Sequence, residues 1–277
     1  GGKDIITTGF GADIVFGGTA DDTIEASGGF ANDLVVGDNG IALWVNDVLR
    51  WVTTSDPAQG GDDYIVTGSG LDVVLAGTGN DFVDAGTNVG GDIDRDIVIG
   101  DNGVVHFNQF GQSTLIYTID PLLGGDDFIM TGGGTDTIFG GSNSDFLHAG
   151  LDDDLVFGDN GWADFNDANG NAGEFQLAYS TDPLGGGHDY ILGGGGNDSV
   201  FGGSFSDIIY GGSGDDLLFG DHGLFDRSLP RDQQFRSIMS GSGDFGGDDE
   251  IHGDNGPGFG GLGFETFDDV ILGQQGD

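Results

Sequence analysis

Aliphatic residues recur along this chain in short, evenly spaced groups, each two positions behind an aspartate. Asp4 precedes Ile6, Asp13 precedes Val15 and Asp22 precedes Ile24, nine residues apart. The series resumes at Asp63, Asp72 and Asp81, then at Asp127, Asp136, Asp145 and Asp154, then at Asp189, Asp198, Asp207 and Asp216, and again at Asp249 before Ile251. Runs of glycine lie between the groups. Glycine opens the φ > 0 conformations that tight turns need, and a D-x-U-x segment (U aliphatic) turns one side chain per pass to one face of a strand. Each nonapeptide therefore reads as a six-residue turn followed by a three-residue strand. Two nonapeptides make one flattened coil, so units eighteen residues apart stack on the same edge. Ile6, Val15, Ile24, Ile65, Val74, Val83, Ile129, Ile138, Leu147, Ile191, Val200, Ile209 and Leu218 then form a narrow core.

A longer period overlies the short one. Gly-Asp-Asn-Gly stands at 37–40, 100–103, 158–161 and 253–256, Gly-Asp-His-Gly at 220–223, and a Gly-Gly-x-Asp element begins at 60, 124, 186 and 246. The intervening stretches break the nine-residue rhythm. Alternating apolar segments on either side of Asn46-Asp47 carry a hairpin signature, and Phe107 to Phe110 before Leu115-Ile116-Tyr117 reads similarly. The domain reading is four modules, 1–59, 60–123, 124–185 and 186–245, with hairpins at 41–59, 104–123 and 162–184 and a loop at 224–245. A divergent or truncated fifth module spans 246–277. The predicted fold class is all-β, a parallel β-roll (β-helix) solenoid of nonapeptide repeats with inserted β-hairpins.

Some turns depart from the rule. Ala20, Ala31, Asp94, Asn143, Asp152, Phe205 and Phe267 replace the glycine two places before the aspartate. Asn and Asp tolerate the left-handed region, whereas Ala and Phe adopt it at a cost, so altered geometry is expected at Asp22, Asp33, Asp207 and Asp269.

One unit, Gly211-Gly212-Ser213-Gly214-Asp215-Asp216-Leu217-Leu218-Phe219, spells G-G-x-G-x-D-x-U-x in full, the nonapeptide of calcium-binding parallel β-helices. The chain resembles the RTX (hemolysin-type calcium-binding) family of secreted bacterial proteins, and the resemblance covers nearly everything except four segments of about twenty residues. It implies a β-roll with calcium held in the turns, extracellular localisation and type I export through a C-terminal signal. No signal peptide opens the chain, which begins and ends inside repeat-like sequence, so it is expected to be a segment of something longer.

Composition adds the need for a cation. The chain has 48 Asp plus Glu, 6 Lys plus Arg, 60 Gly, no Cys and a net charge of −42 over 277 residues. Coils about 4.8 Å apart bring aspartates of neighbouring coils together, and each such pair repels by roughly 1 kcal/mol in water and about 3–4 kcal/mol at an effective dielectric near 20. Carboxylates and turn carbonyls are hard oxygen donors that suit Ca²⁺ better than zinc or copper. Multiple Ca²⁺ ions are therefore the expected cofactor, with Asp4, Asp13, Asp22, Asp63, Asp72, Asp81, Asp127, Asp136, Asp145, Asp154, Asp189, Asp198, Asp207, Asp216 and Asp249 as candidate metal ligands. For any single Asp the alternative is a turn residue bonded to its own backbone; repetition in register favours the ligand. Asp92 to Asp96 and Asp167 to Asn171 begin like EF-hand loops but lack the glycine at the sixth place, which makes them weak extra calcium sites at most.

Other functions are disfavoured. No catalytic constellation emerges: there is no cysteine, G-x-S-x-G or H-E-x-x-H, and His148, His222 and His252 read as surface or turn residues. The charge repels nucleic acid, and no apolar run is long enough to be a transmembrane segment. Strand positions expected to face water are aromatic instead, at Tyr64, Phe82, Phe128, Phe146, Tyr190, Phe139, Phe157, Phe201, Tyr210 and Phe219. Something must cover such a surface. Either the hairpins fold back on the roll, or rolls self-associate laterally or into a fibre. The expected function is a calcium-stabilised extracellular structural repeat, a rod or filament, surface-layer or adhesin building block that folds after secretion. The alternative is the calcium-dependent folding and secretion tail of a secreted enzyme or toxin.

Overall fold

The computed structural model describes residues 1–86, 94–167, 169–230, 233–237, 246–254 and 270–273. The nine-residue rhythm becomes two nine-stranded parallel sheets, with alternate nonapeptides assigned to alternate sheets. Sheet A begins with Ile5–Thr7, Thr23–Glu25 and Tyr64–Val66 and runs through Phe128–Gly133 to Glu250–Asp254. Sheet B begins with Ile14–Phe16 and Leu34–Val36 and runs through Leu155–Phe157 to Val270–Leu272. Pairing is parallel and in register, as in Ile129↔Leu147 of sheet A and Ile138↔Val156 of sheet B.

Between the sheets the central residue of each three-residue strand forms the predicted core. Ile24, Ile65, Val83, Ile129, Leu147, Ile191 and Ile209 from sheet A meet Val35, Val74, Val98, Ile138, Val156, Val200 and Leu218 from sheet B, all fully buried. Each such side chain contributes about 1.5–3 kcal/mol of burial. Ile6 in the first coil is only partly covered.

The excursions form a third layer. Gly40–Val45 with Val48–Thr54, Gly103–Phe107 with Ser113–Thr118, and Gly161–Asn166 with Ala172–Ser180 are antiparallel hairpins. The fourth, expected as a loop, also pairs, Gly223–Asp226 against Phe235–Ser237. Neighbouring hairpins bond to one another, as in Val105↔Val52, Ile116↔Ala163 and Ala178↔Phe225, so all four make one continuous eight-stranded sheet C. The hydroxyl closing each hairpin ties it to the next: Thr54 accepts the N–H of Gly103, Thr118 that of Gly161 and Ser180 that of Gly223.

Sheet C lies on sheet B. Its inward residues Val52, Val105, Phe107, Ile116, Phe165 and Ala178 pack on Leu75, Ile99, Phe139, Phe157, Phe201 and Phe219. The four phenylalanines stack at 4.6 Å between successive ring centroids and are fully buried. The hairpins therefore fold back and cover four of the ten outward aromatics, Phe139, Phe157, Phe201 and Phe219. The other six remain on the outer face of sheet A: Tyr64, Phe82, Phe128, Phe146 and Tyr190 stack in sequence at 4.5–5.4 Å, Tyr210 follows tilted at 5.8 Å, and Tyr64 and Phe128 are exposed.

Four of the turns lacking glycine hold their geometry, whereas Ala31 does not take the left-handed conformation, so the alteration expected at Asp33 does occur. Ala20, Asn143, Asp152 and Phe205 adopt φ of 81°, 68°, 74° and 70°. The regular stack therefore imposes the left-handed conformation even on Ala20 and Phe205, and the alteration expected at Asp22 and Asp207 does not occur. Asp269 and Phe267 lie outside the described residues.

Candidate metal centre

Each turn delivers its aspartate at the start of a strand, and parallel stacking then lines up one aspartate per coil. Along sheet A the backbone N–H of Asp4 donates to Oδ1 of Asp22 at 2.7 Å, and the same bond links Asp22 to Asp63, Asp63 to Asp81, Asp81 to Asp127, Asp127 to Asp145, Asp145 to Asp189, Asp189 to Asp207 and Asp207 to Asp249. Along sheet B it joins Asp13, Asp33, Asp72, Asp96, Asp136, Asp154, Asp198 and Asp216. The structure thus brings all fifteen candidate aspartates into two ladders and adds Asp33 and Asp96, which have the same aspartate-x-valine signature.

One carboxylate oxygen per residue is committed to the ladder. The other, Oδ2, is buried with no hydrogen-bond partner in Asp22, Asp63, Asp81, Asp127, Asp145, Asp154, Asp189, Asp198, Asp207 and Asp249. A buried carboxylate oxygen without a donor costs free energy unless a proton or a cation meets it. The glycine before each turn shows where that oxygen points. A Cβ on Gly140 would strike both Oδ2 of Asp145 and the carbonyl oxygen of Gly158 in the next coil, and one on Gly158 would strike Oδ2 of Asp189 and the carbonyl oxygen of Gly202. Carboxylate and carbonyl oxygens therefore converge on a space kept open by glycine. Among the described residues no three acidic or histidine side chains converge, so backbone carbonyls must supply the remaining donors. This hard, all-oxygen set fits Ca²⁺.

Burial dominates the electrostatics. It raises Asp154 to about 10, with Asp136 and Asp198 adding repulsion, and Asp198 to about 8. It raises Asp207 to about 11, helped by Asp189, and pushes Asp81, Asp127, Asp145 and Asp189 well above the ordinary 3.8. Burial thus penalises the ionised form of each of these carboxylates, the load a bound cation would offset.

A further set of residues was marked in the sequence only as module punctuation. Asp101 accepts the N–H of Gly125 and of Ser142, and Asp159 those of Gly187 and Ser204; Asp38 accepts the N–H of Thr78, and Asp221 that of Gly247. Each opens an excursion and clips its return limb or the next coil. Their signal was the Gly-Asp-Asn-Gly tetrapeptide, in which Asp replaces the second glycine of the repeat.

Other candidates settle into structural roles. Asp167 turns its carboxylate onto the N–H groups of Asn169 and Asn171, which lowers it to about 2, so it closes its own loop. Asp92 and Ile93 lie outside the described residues. His222, expected at a surface or in a turn, is a buried turn residue facing the Ser204 hydroxyl at 3.1 Å, and His252 pairs with Glu250. Arg50 donates to the Phe107 carbonyl, and Arg227 lies over the Phe175 ring. Among the described residues no helix is long and apolar enough to cross a membrane.

No curated protein matches the chain significantly. The family model described as RTX calcium-binding nonapeptide repeat matches residues 1–30, 58–88, 123–156, 184–209 and 192–223. These segments hold fourteen of the seventeen ladder aspartates, all but Asp33, Asp96 and Asp249, and the gaps between them contain the first three hairpins. Such repeats bind calcium and are typical of type I secreted extracellular proteins. The two ladders, the glycine-lined cradles and the matched segments together make the chain a member of the family of RTX calcium-binding nonapeptide repeats.

Proposed function

We propose that this chain is a calcium-stiffened structural segment of an extracellular rod, filament, surface layer or adhesin, rather than a catalytic unit. The ladder aspartates hold several Ca²⁺ ions, which neutralise the stacked carboxylates and let the chain fold outside the cell, where calcium is abundant. Metal binding of this kind is folding free energy. The observation that carries the structural reading is sheet C. A folding tail needs only the roll, whereas here four separate excursions bond into one sheet that braces sheet B along the length of the solenoid.

The partner is a second copy, laid against the open face of sheet A. The ring row from Tyr64 to Tyr190 is flanked by Val66, Met130, His148 and Leu192, and Asp84, the one carboxylate in that stretch, is buried. A charge-poor apolar strip on a chain of −42 is a self-complementary surface once calcium has lowered the overall repulsion. Calcium titration followed together by circular dichroism and light scattering, with EDTA as the reverse, tests both parts. A cooperative gain of β signal with a rise in particle size supports the building block. Folding that leaves the particle monomeric at all concentrations favours the tail of an enzyme or toxin.

A further inference from the structure

Two limbs meet at the root of each of the first three hairpins, and each carries a carboxylate aimed at the other limb's glycine. A Cβ on Gly37, beside Asp38, would strike Oδ2 of Asp63, and one on Gly60, on the return limb before Asp63, would strike Oδ2 of Asp38. The same crossing relates Gly100 and Asp127 to Gly124 and Asp101, and Gly158 and Asp189 to Gly186 and Asp159. All six aspartates are at least nine-tenths buried. Oδ2 of Asp63, Asp127 and Asp189 has no hydrogen-bond partner, while Asp38, Asp101 and Asp159 also accept backbone N–H groups. The pairs repel, Asp63 by Asp38, Asp127 by Asp101 and Asp189 by Asp159. No basic side chain is paired with any of them among the described residues. Every excursion leaves after a sheet B strand and returns into sheet A, so these paired carboxylates all lie on one edge of the roll.

We propose that the aspartate opening each of the first three hairpins is a divalent-cation ligand in its own right: Asp38 with Asp63, Asp101 with Asp127 and Asp159 with Asp189 each hold one Ca²⁺ that locks the hairpin root. This rests on the reading of the ladders as calcium sites and deepens it. The chain then has two classes of site, ladder turns with one carboxylate per coil and root turns with two. Because calcium sites with more carboxylate charge bind more tightly, the root sites fill first. Docking of sheet C is thereby tied to calcium directly, and not only through the roll beneath it.

Asp38→Asn in the full chain is the cleanest probe. The amide keeps an oxygen for the N–H of Thr78 and removes the negative charge that a cation would need. All three tryptophans, Trp44, Trp51 and Trp162, lie in sheet C, so their fluorescence reports hairpin docking while far-UV circular dichroism reports the whole β structure. We expect Asp38→Asn to bind one calcium fewer than wild type, by dialysis and metal analysis at a concentration that just saturates wild type. Asp38→Asn with Asp159→Asn should lose two and move the fluorescence midpoint at least tenfold toward higher calcium. An unchanged ion count and midpoint, whatever happens to the melting temperature, overturns the proposal and leaves these residues as hydrogen-bonding clips. If a variant is too unstable to titrate, terbium binding to wild type decides instead: a tight class separate from the ladder sites supports the proposal, and a single class overturns it. Wild type that takes up no calcium would refute the ladder reading itself, a distinguishable result.

Discussion

Deprived of calcium, this protein should be stable in acid and lose its fold as the pH rises toward neutral. Asp154, Asp198 and Asp207 are raised from 3.8 to about 10, 8 and 11, chiefly by burial. The folded chain therefore holds protons that the unfolded chain releases above pH 3.8, and stability falls by about 1.4 kcal/mol per pH unit for each group until its folded pKa is reached. From about pH 4 to pH 7, each of the three costs roughly 4 kcal/mol, or about 12 together, comparable to the roughly 5–15 kcal/mol that usually holds a domain together. Asp81, Asp127, Asp145 and Asp189 shift in the same direction and add to the loss. The assay is urea unfolding in EDTA at several pH values, followed by circular dichroism. Repeating it in about 0.5 M salt screens the exposed carboxylates and leaves the buried ladder. Calcium in place of protons should reverse the slope, because the bound form is the ionised one. Stability in EDTA that stays flat from pH 4 to 8 in high salt would refute the reasoning, since the ladder carboxyls could not then be buried as described.

Three further outcomes follow from the packing, each measured at saturating calcium. Phe157→Ala removes a buried ring stacked on both Phe139 and Phe201 and should cost about 3–5 kcal/mol, whereas Phe128→Ala on the open face should cost under about 2; equal losses in urea unfolding would contradict the covering of sheet B by sheet C. Gly140→Ala places a methyl group against Oδ2 of Asp145 and the Gly158 carbonyl and should raise the calcium midpoint several-fold, while Gly173→Ala, with open space around its Cα, should leave it unchanged in the same titration. Phe82→Arg with Phe146→Arg should abolish the calcium-dependent rise in light scattering without changing the circular dichroism transition, and particles of undiminished size would exclude sheet A as the contact.

The roll was legible because one side chain in nine performs the same task in every unit. A core built from Ile65, Val74 and their equivalents needs no long-range information beyond the period, and the ladders follow from the same repeat. What the period could not show was the partner of each aromatic. Phe128 and Phe139 occupy equivalent-looking positions one strand apart, yet one is exposed and the other fully buried. The difference arises because excursions always leave after a sheet B strand, so only sheet B has hairpins near enough to cover it. Alternation along Ile41 to Val52 announced a hairpin but not its docking partner, since edge-to-edge pairing of hairpins some sixty residues apart leaves no local mark.

The aspartates of the Gly-Asp-Asn-Gly marks were overlooked for a related reason. In a linear reading Asp101 and Asp159 interrupt the repeat, because each stands where the nonapeptide has its second glycine. In three dimensions that same place faces the next coil, and Gly141 and Gly203, at φ of 123°, are the residues that leave room for the intruding carboxylates. The glycine of one coil and the aspartate of the coil before it are thus a matched pair, Gly141 with Asp101 and Gly203 with Asp159, far apart in sequence. An excursion can be inserted into a roll of this kind only where the departing limb brings its own acceptor for the N–H groups it exposes. Gly-Asp recurs at the start of all four hairpins, and each of its aspartates accepts an N–H of the return limb or the next coil, so the long period carries the same chemistry at every repeat.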